Sequence, residues 1–158
     1  MALVPHEVAM KIEDIKHLYR LVDRLDVASL RDHLSPQAEI VPGNADPLRG
    51  LEDICDAVEH FFLHLDGIHH EIHDIWRAGS EGTGPFVAHA DAYFRVRGRE
   101  GAIMVRGASI FEVRDGLITS CRLFYDLGAV RAQIEHPDRV FETLDETFPA
   151  SDSPGWNP

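Results

Sequence analysis

Apolar residues Val8, Ile12, Ile15, Leu18, Tyr19, Val22 and Leu25 recur three or four apart, a spacing that puts them on one stripe of a helix. A first amphipathic helix is predicted over residues 8–25. Asp26 stands where an N-cap belongs, ahead of Val27, Leu30 and Leu34. Ser35-Pro36 closes that short second helix, because proline disfavours helical geometry in the residue before it. Residues 38–41 read as a brief strand, and the following PGNADPLRG is a loop over the surface or over a pocket mouth. Helical spacing returns over residues 51–65 and ends at Gly67, giving a third helix.

Beyond Gly67 the period changes to two. Residues 68–76, 86–96, 102–113 and 117–125 are predicted as four consecutive strands, joined by GSEGTG, RGREG and RDG. Of these, Arg114-Asp115-Gly116 has the chemistry of a hairpin turn. Helices followed by an antiparallel run predict an α+β domain with the helices on one face of the sheet. Residues 127–148 have the pattern of a helix broken at Pro137. One domain over residues 1–148 is expected, with an acidic Pro/Gly/Ser-containing tail at 149–158 that brings no packed element of its own, although Trp156 can dock on a partner subunit.

Composition narrows the function classes. A 158-residue chain with 44% hydrophobic and 27% charged residues is of globular type. Fifteen Lys plus Arg against 27 Asp plus Glu give a net charge of −12, so nucleic acids and anionic membranes would meet repulsion. Neither is an expected partner. Cys55 and Cys121 stand far apart with no second cysteine at ligand or redox spacing, which fits a reduced, cytoplasmic setting. Pro5, His6 and Glu7 interrupt the N-terminus where a signal peptide needs an apolar run, and the apolar stretches elsewhere are too short to span a bilayer.

The strings LYRLVDRLDVASLRDHLSPQAEI, LRGLEDI, IHHEIHDIW and DGLITSCRLFYDLGAV, in that order, resemble the SnoaL-like branch of the nuclear-transport-factor-2-like superfamily over about residues 8–135. The resemblance implies a cone-shaped α+β fold whose curved, mostly antiparallel sheet and three N-terminal helices enclose one pocket. It also implies cofactor-independent chemistry on a small, largely apolar, oxygenated molecule, and a homodimer formed through the sheet. The superfamily includes cyclases, isomerases, dehydratases, epoxide hydrolases and members with no known activity, so the fold leaves the reaction open.

Residue by residue, the resemblance excludes ketosteroid isomerase chemistry. Where that family carries its two acids, this chain has the Val41-Pro42-Gly43 stretch and, on the penultimate strand, Ala108 and Ser109. Similarity to the dehydratases suggests Asp23 near the end of the first helix, His70 on the first long strand and His89 on the next. Similarity to limonene epoxide hydrolases suggests instead Asp91, two residues after His89, and Asp126 at the end of CRLFYD. The candidate catalytic set is therefore Asp126, Asp91, His89 and His70, with Tyr19, Asp23, Phe124 and Trp76 as substrate-binding candidates. Imidazole titrates near neutrality and a desolvated carboxyl is pushed towards it, so both suit proton transfer. Asp126, Asp91 and His89 are expected to converge on one cavity. The plain alternatives are that the polar row of the strand carrying His89 faces solvent and that Asp126 caps a helix.

His60 and His64 lie one helical turn apart, with His69, His70 and His73 on the next strand. No third ligand converges with them in a recognised pattern, so no metal site is predicted. Three functions remain in view. The leading one is an acid/base enzyme of dehydratase, cyclase or isomerase type. The others are a limonene-epoxide-hydrolase-like hydrolase and a non-catalytic ligand-binding or dimerisation module.

Overall fold

In the computed structural model, which describes residues 9–79 and 84–136, the change from helical to alternating spacing falls close to where the sequence sets it. Helices α1 (Ile12–Asp23) and α2 (Val27–Arg31) precede strand β1 (Leu34–Pro42), the short β2 (Leu48–Arg49) and helix α3 (Leu51–Phe62). Strands β3 (Leu65–Arg77), β4 (Phe86–Val96), β5 (Ile103–Arg114) and β6 (Leu117–Tyr125) follow, and then helix α4 (Gly128–Glu135). The strands make one curved, unclosed sheet in the order β2-β1-β6-β5-β4-β3. All neighbours are antiparallel except β1 and β6. This is the α+β architecture that the pattern predicts.

Several boundaries differ from expectation, and the stretch expected as a loop after β1 contains the short strand β2. Helix α2 stops at Arg31 and β1 begins at Leu34, because the residue before Pro36 is driven to extended geometry and β1 absorbs the proline in a register shift between Leu34 and Glu39. Helix α3 ends at Phe62, and Leu65 already pairs with Val96. Leu65 serves the strand because its side chain is buried there against Phe62 and Phe94, a tertiary contact that overrides helical spacing. Of the helix expected over residues 127–148, α4 is the described part. Pro137 onwards, including the tail and Trp156, lies outside the described residues, as does Val8.

Local chemistry sets the turns. Asp115 and Gly116, with φ of 53° and 74°, form the left-handed pair that joins β5 to β6 with the twist a two-residue hairpin needs. At the end of α1, Leu25 takes φ 56° and the Asp26 N–H donates to the Leu21 carbonyl at 3.0 Å. That is a helix-ending hydrogen bond usually built on glycine. Asp26 then caps α2 by accepting from the Ser29 N–H at 3.0 Å. The sharp reversal leaves Asp23 as the last residue of α1, directed at β3.

Strand alternation decides what faces the helices. In β4 the residues Phe86, Ala88, Ala90, Ala92, Phe94 and Val96 are all buried, while His89, Asp91, Tyr93 and Arg95 take the other face. Helix α1 packs Ile15, Leu18 and Tyr19 onto Phe86, Ala88 and Phe111 at one end of the inner face. Helices α3 and α4 contribute Phe62 and Val130 against Phe94 and Val105 at the other. Leu30 and Leu123 touch both clusters. Between them lies a space bordered on β4 by Ala92 and Phe94.

Candidate active site

That space is a cavity of about 450 Å³, within the range of sites that hold small organic molecules. Its wall is almost wholly aliphatic and aromatic, with Val22, Ile54, Phe61, Ile68, Phe94 and Leu123 among the lining residues. The loop after β1 reaches it through Ala45 and Asp46, and α4 through Leu127 and Arg131. This stretch is expected at the surface or at a pocket mouth, and its Ala45 and Asp46 are at the cavity. The polar groups of the interior are few: His70, Tyr19, Ser109 and Tyr125.

His70 stands on the inner face of β3, paired in register with Ala92, and its side chain is only 9% exposed. Its Nδ1 lies 2.6 Å from Asp23 Oδ1, and its backbone N–H donates to Asp23 Oδ2 at 3.1 Å. A carboxylate can only accept, so it holds the proton on Nδ1 and leaves Nε2 as the nitrogen available to the cavity. Asp23 is the last residue of α1, where the helix dipole opposes negative charge by about 0.3–1 kcal/mol. The two hydrogen bonds from His70 offset that placement.

The hydroxyl groups gather beside this pair. Tyr19 packs edge-on against the His70 ring, with centroids 4.8 Å apart, and its hydroxyl donates to Ser109 Oγ at 3.0 Å. Ser109 is fully buried. Tyr125 Oη is also buried and makes no hydrogen bond among the described residues. Its ring is positioned through Gly107, where a Cβ would come within 2.5 Å of the tyrosine ring and 2.4 Å of the Phe124 carbonyl. Burial pushes both phenols above their ordinary value, so both remain neutral hydrogen-bond donors well past neutrality. Cys121 lines the same cavity, and burial drives its thiol up to about 12. It is therefore not a thiolate nucleophile at neutral pH.

The structure brings His70, Asp23 and Tyr19 together and leaves the other candidates outside. Asp91 and His89 lie on the opposite face of the sheet from the cavity, so the expected convergence with Asp126 does not occur. Asp91 Oδ2 is 3.2 Å from His73 Nε2 and Oδ1 is 3.7 Å from Arg106 Nε, and the His73 and His89 rings are 4.9 Å apart. Asp126 is exposed and accepts the Gly128 N–H at 3.0 Å. It thus satisfies a backbone group at the start of α4, the plain reading of that residue. Trp76 and Phe124 are 51% and 58% exposed, because both occupy outward positions of strands whose inward neighbours line the core. Sequence reasoning missed Ser109 and Tyr125 as site members. The available signal was a serine in phase with Phe111 and a tyrosine in phase with Leu123, both in otherwise apolar inward rows.

The family model for the SnoaL-like domain matches residues 15–121, which spans α1 to β6 and includes Tyr19, Asp23, His70 and Ser109. The chain belongs to the SnoaL-like family. Solved structures agree on the fold of this SnoaL-like chain. An M. tuberculosis LEH-like epoxide hydrolase is similar at 16% identity and a TM-score of 0.62, over 78% of this chain and 88% of that one. A protein of ketosteroid isomerase-like fold from Catenulispora acidiphila DSM 44928, in complex with trimethylamine, gives 19% and 0.67 over 80% and 95%. A candidate scytalone dehydratase from Novosphingobium aromaticivorans DSM 12444 gives 13% and 0.63 over 72% and 80%. No curated protein matches the chain.

Proposed function

We propose that this SnoaL-like protein is an acid/base enzyme that needs no cofactor and acts on a small, largely apolar, oxygenated molecule bound in the cone, in a dehydration, cyclisation or isomerisation. The observation that carries this reading is the 2.6 Å Asp23–His70 pair in the wall of an apolar cavity. In it, His70 Nε2 takes a proton from carbon. The Tyr19, Ser109 and Tyr125 hydroxyls hold the oxygen on which charge develops, in surroundings where each hydrogen bond counts for more than in water. Asp23 stabilises the imidazolium that forms. The candidate scytalone dehydratase shares the fold, which fits this reading and does not choose among the three reactions.

The epoxide-hydrolase alternative loses the residues it rested on, since Asp91, His89 and Asp126 lie away from the cavity. A non-catalytic module keeps one observation in its favour. Trp76, Met104 and Phe124 are large apolar residues left exposed on outward strand positions, and they support a homodimer through that sheet face. Light scattering at micromolar concentration is expected to give twice the 17.7 kDa of one chain, and a mass of one chain contradicts the dimer. Two free, buried thiols support a reducing cytoplasmic location. No described helix is long and apolar enough to cross a membrane.

Incubation in D₂O with a panel of neutral hydroxylated, carbonyl and epoxide compounds, read by NMR and mass spectrometry, tests the reading. Deuterium uptake at carbon, or loss of one water, with both effects abolished in His70→Gln, is the expected result. Gain of one water from an epoxide would revive the hydrolase, and no conversion across the panel would favour the silent module.

A further inference from the structure

The Asp23–His70 pair is bordered by two cavities. Besides the cone, a groove of about 340 Å³ runs along the outside of α1 where it meets β3, and Tyr19 and His70 line both spaces while Asp23 lines the groove. The groove is polar where the cone is apolar. Lys16, Arg20, His73 and Asp74 border it together with Ile12, Ile72 and Ile75. Asp23 is 23% exposed, and on its far side His69 Nδ1 lies 3.8 Å from Oδ2 with the His69 side chain 73% exposed. From the cavity outward the order is thus His70, Asp23, His69, solvent.

We infer that this groove is a second, aqueous access to the catalytic pair, through which His70 exchanges protons with bulk water while the cone is filled. The inference rests on the proposed role of His70 as the acid/base group. A ligand of matching size fills the cone and excludes water from Nε2, so the protonation state of His70 cannot then be reset from that side. On the other side, a proton leaves His70 Nδ1 for the Asp23 carboxylate. From there it passes to His69 Nδ1 or to groove water, which carries it to the bulk as hydronium. One proton moves and no other bond changes. The charged and titratable groups facing the pair are Lys16, Tyr19 and Arg20 from α1, His69 and Asp74 from β3, and Tyr125 across the cavity. His69 acts here as a positioning residue, a relay that does not touch substrate.

The test uses the full ¹⁵N-labelled chain, with N-phenyl-1-naphthylamine as a neutral apolar probe of the cone and the His70 ring assigned by its loss in His70→Gln. The readout is the exchange rate of the His70 Nδ1–H with water, with and without probe. Wild type is expected to keep this rate within about threefold when the probe binds. Ile12→Trp, which fills the groove without lining the cone, is expected to slow it about tenfold or more in the probe-bound form only, a change in exchange equivalent to about 1.4 kcal/mol in barrier. His69→Gln is expected to fall between the two. Lys16→Phe is a second plug if the tryptophan variant does not fold. Arrest of exchange by the probe in wild type, or equal rates in wild type and both plugged variants, overturns the second access. A probe that binds without shifting the His70 and Tyr19 signals instead overturns the proposed site, and this inference with it.

Discussion

Strand β3 contributes a histidine to each of two histidine–carboxylate pairs, one with Asp23 of α1 and one with Asp91 of β4, in opposite surroundings. On the inner side His70 meets Asp23 at 2.6 Å, with an apolar cavity beyond the ring and hydroxyl groups next to it. On the outer side His73 meets Asp91 at 3.2 Å, and Arg106 approaches the same carboxylate at 3.7 Å. The outer Asp91 is itself only 13% exposed, so burial of the carboxylate does not separate the two. What differs is where the imidazole faces. The outer rings of His73 and His89 are exposed, and water there screens charge. The inner ring faces a space from which a ligand expels water, and there a developing charge interacts strongly with the few dipoles present.

The largest effect that separates the pairs is on turnover. On any substrate found in the panel, His70→Gln is expected to lower kcat by about 10²–10⁴, the range for one positioned acid/base group. His73→Gln and His89→Gln are expected to stay within about twofold, as changes remote from the reacting atoms do. Equal losses at His70 and His89 would erase the distinction between the faces. Next in size, Tyr19→Phe removes the hydroxyl that reaches Ser109 and is expected to reduce kcat by roughly 10–100-fold, the equivalent of one hydrogen bond to a developing charge, with KM little changed.

Stability against pH sharpens the same contrast. Tyr19, Tyr125 and Cys121, all lining the cavity, have folded-state values raised by burial, Cys121 to about 12. Their contribution to stability is therefore full below the unfolded values, near 9 for Cys and 10 for Tyr, and is lost as pH rises through the folded ones. Each group removes up to about 1.4 kcal/mol per pH unit in that window. Denaturant melts between about pH 8 and 12 are expected to show progressive alkaline loss, and Cys121→Ala should make the loss shallower. A flat profile would mean that these groups are wet. The smallest effect is expected at Asp126, where Asp126→Asn should leave turnover within about twofold, because it acts on the Gly128 N–H outside the cavity.

Much of the fold was legible in the chain because its elements are punctuated clearly. Strands β4 and β6 begin and end at the residues expected, each set off by glycine-containing turns, and the Asp115-Gly116 hairpin follows from the backbone those residues favour. The site was half legible. His70 and Asp23 are legible because they sit where this chain resembles the dehydratases, whereas Tyr19 stands one residue out of phase with the tyrosine of those proteins. Resemblance to the dehydratases also points to His89, and resemblance to the epoxide hydrolases points to Asp91 and Asp126; of these, His89 and Asp91 belong to the polar row of β4. Periodicity shows that a strand has two faces and does not say which one the helices cover. Here the row of Ala88, Ala90 and Ala92 is the buried, helix-covered one, and Ala92 lines the cone. Ser109 and Tyr125 were overlooked because a single polar residue in an apolar row reads as tolerated rather than chosen.

The most direct test of the central claim, that ligand chemistry resides on the inner face, is a histidine-ring NMR titration of the full chain with N-phenyl-1-naphthylamine. The probe is expected to shift the His70 ring while the His73 and His89 rings stay in place. Shifts confined to His73 and His89, with His70 unmoved, would contradict the claim.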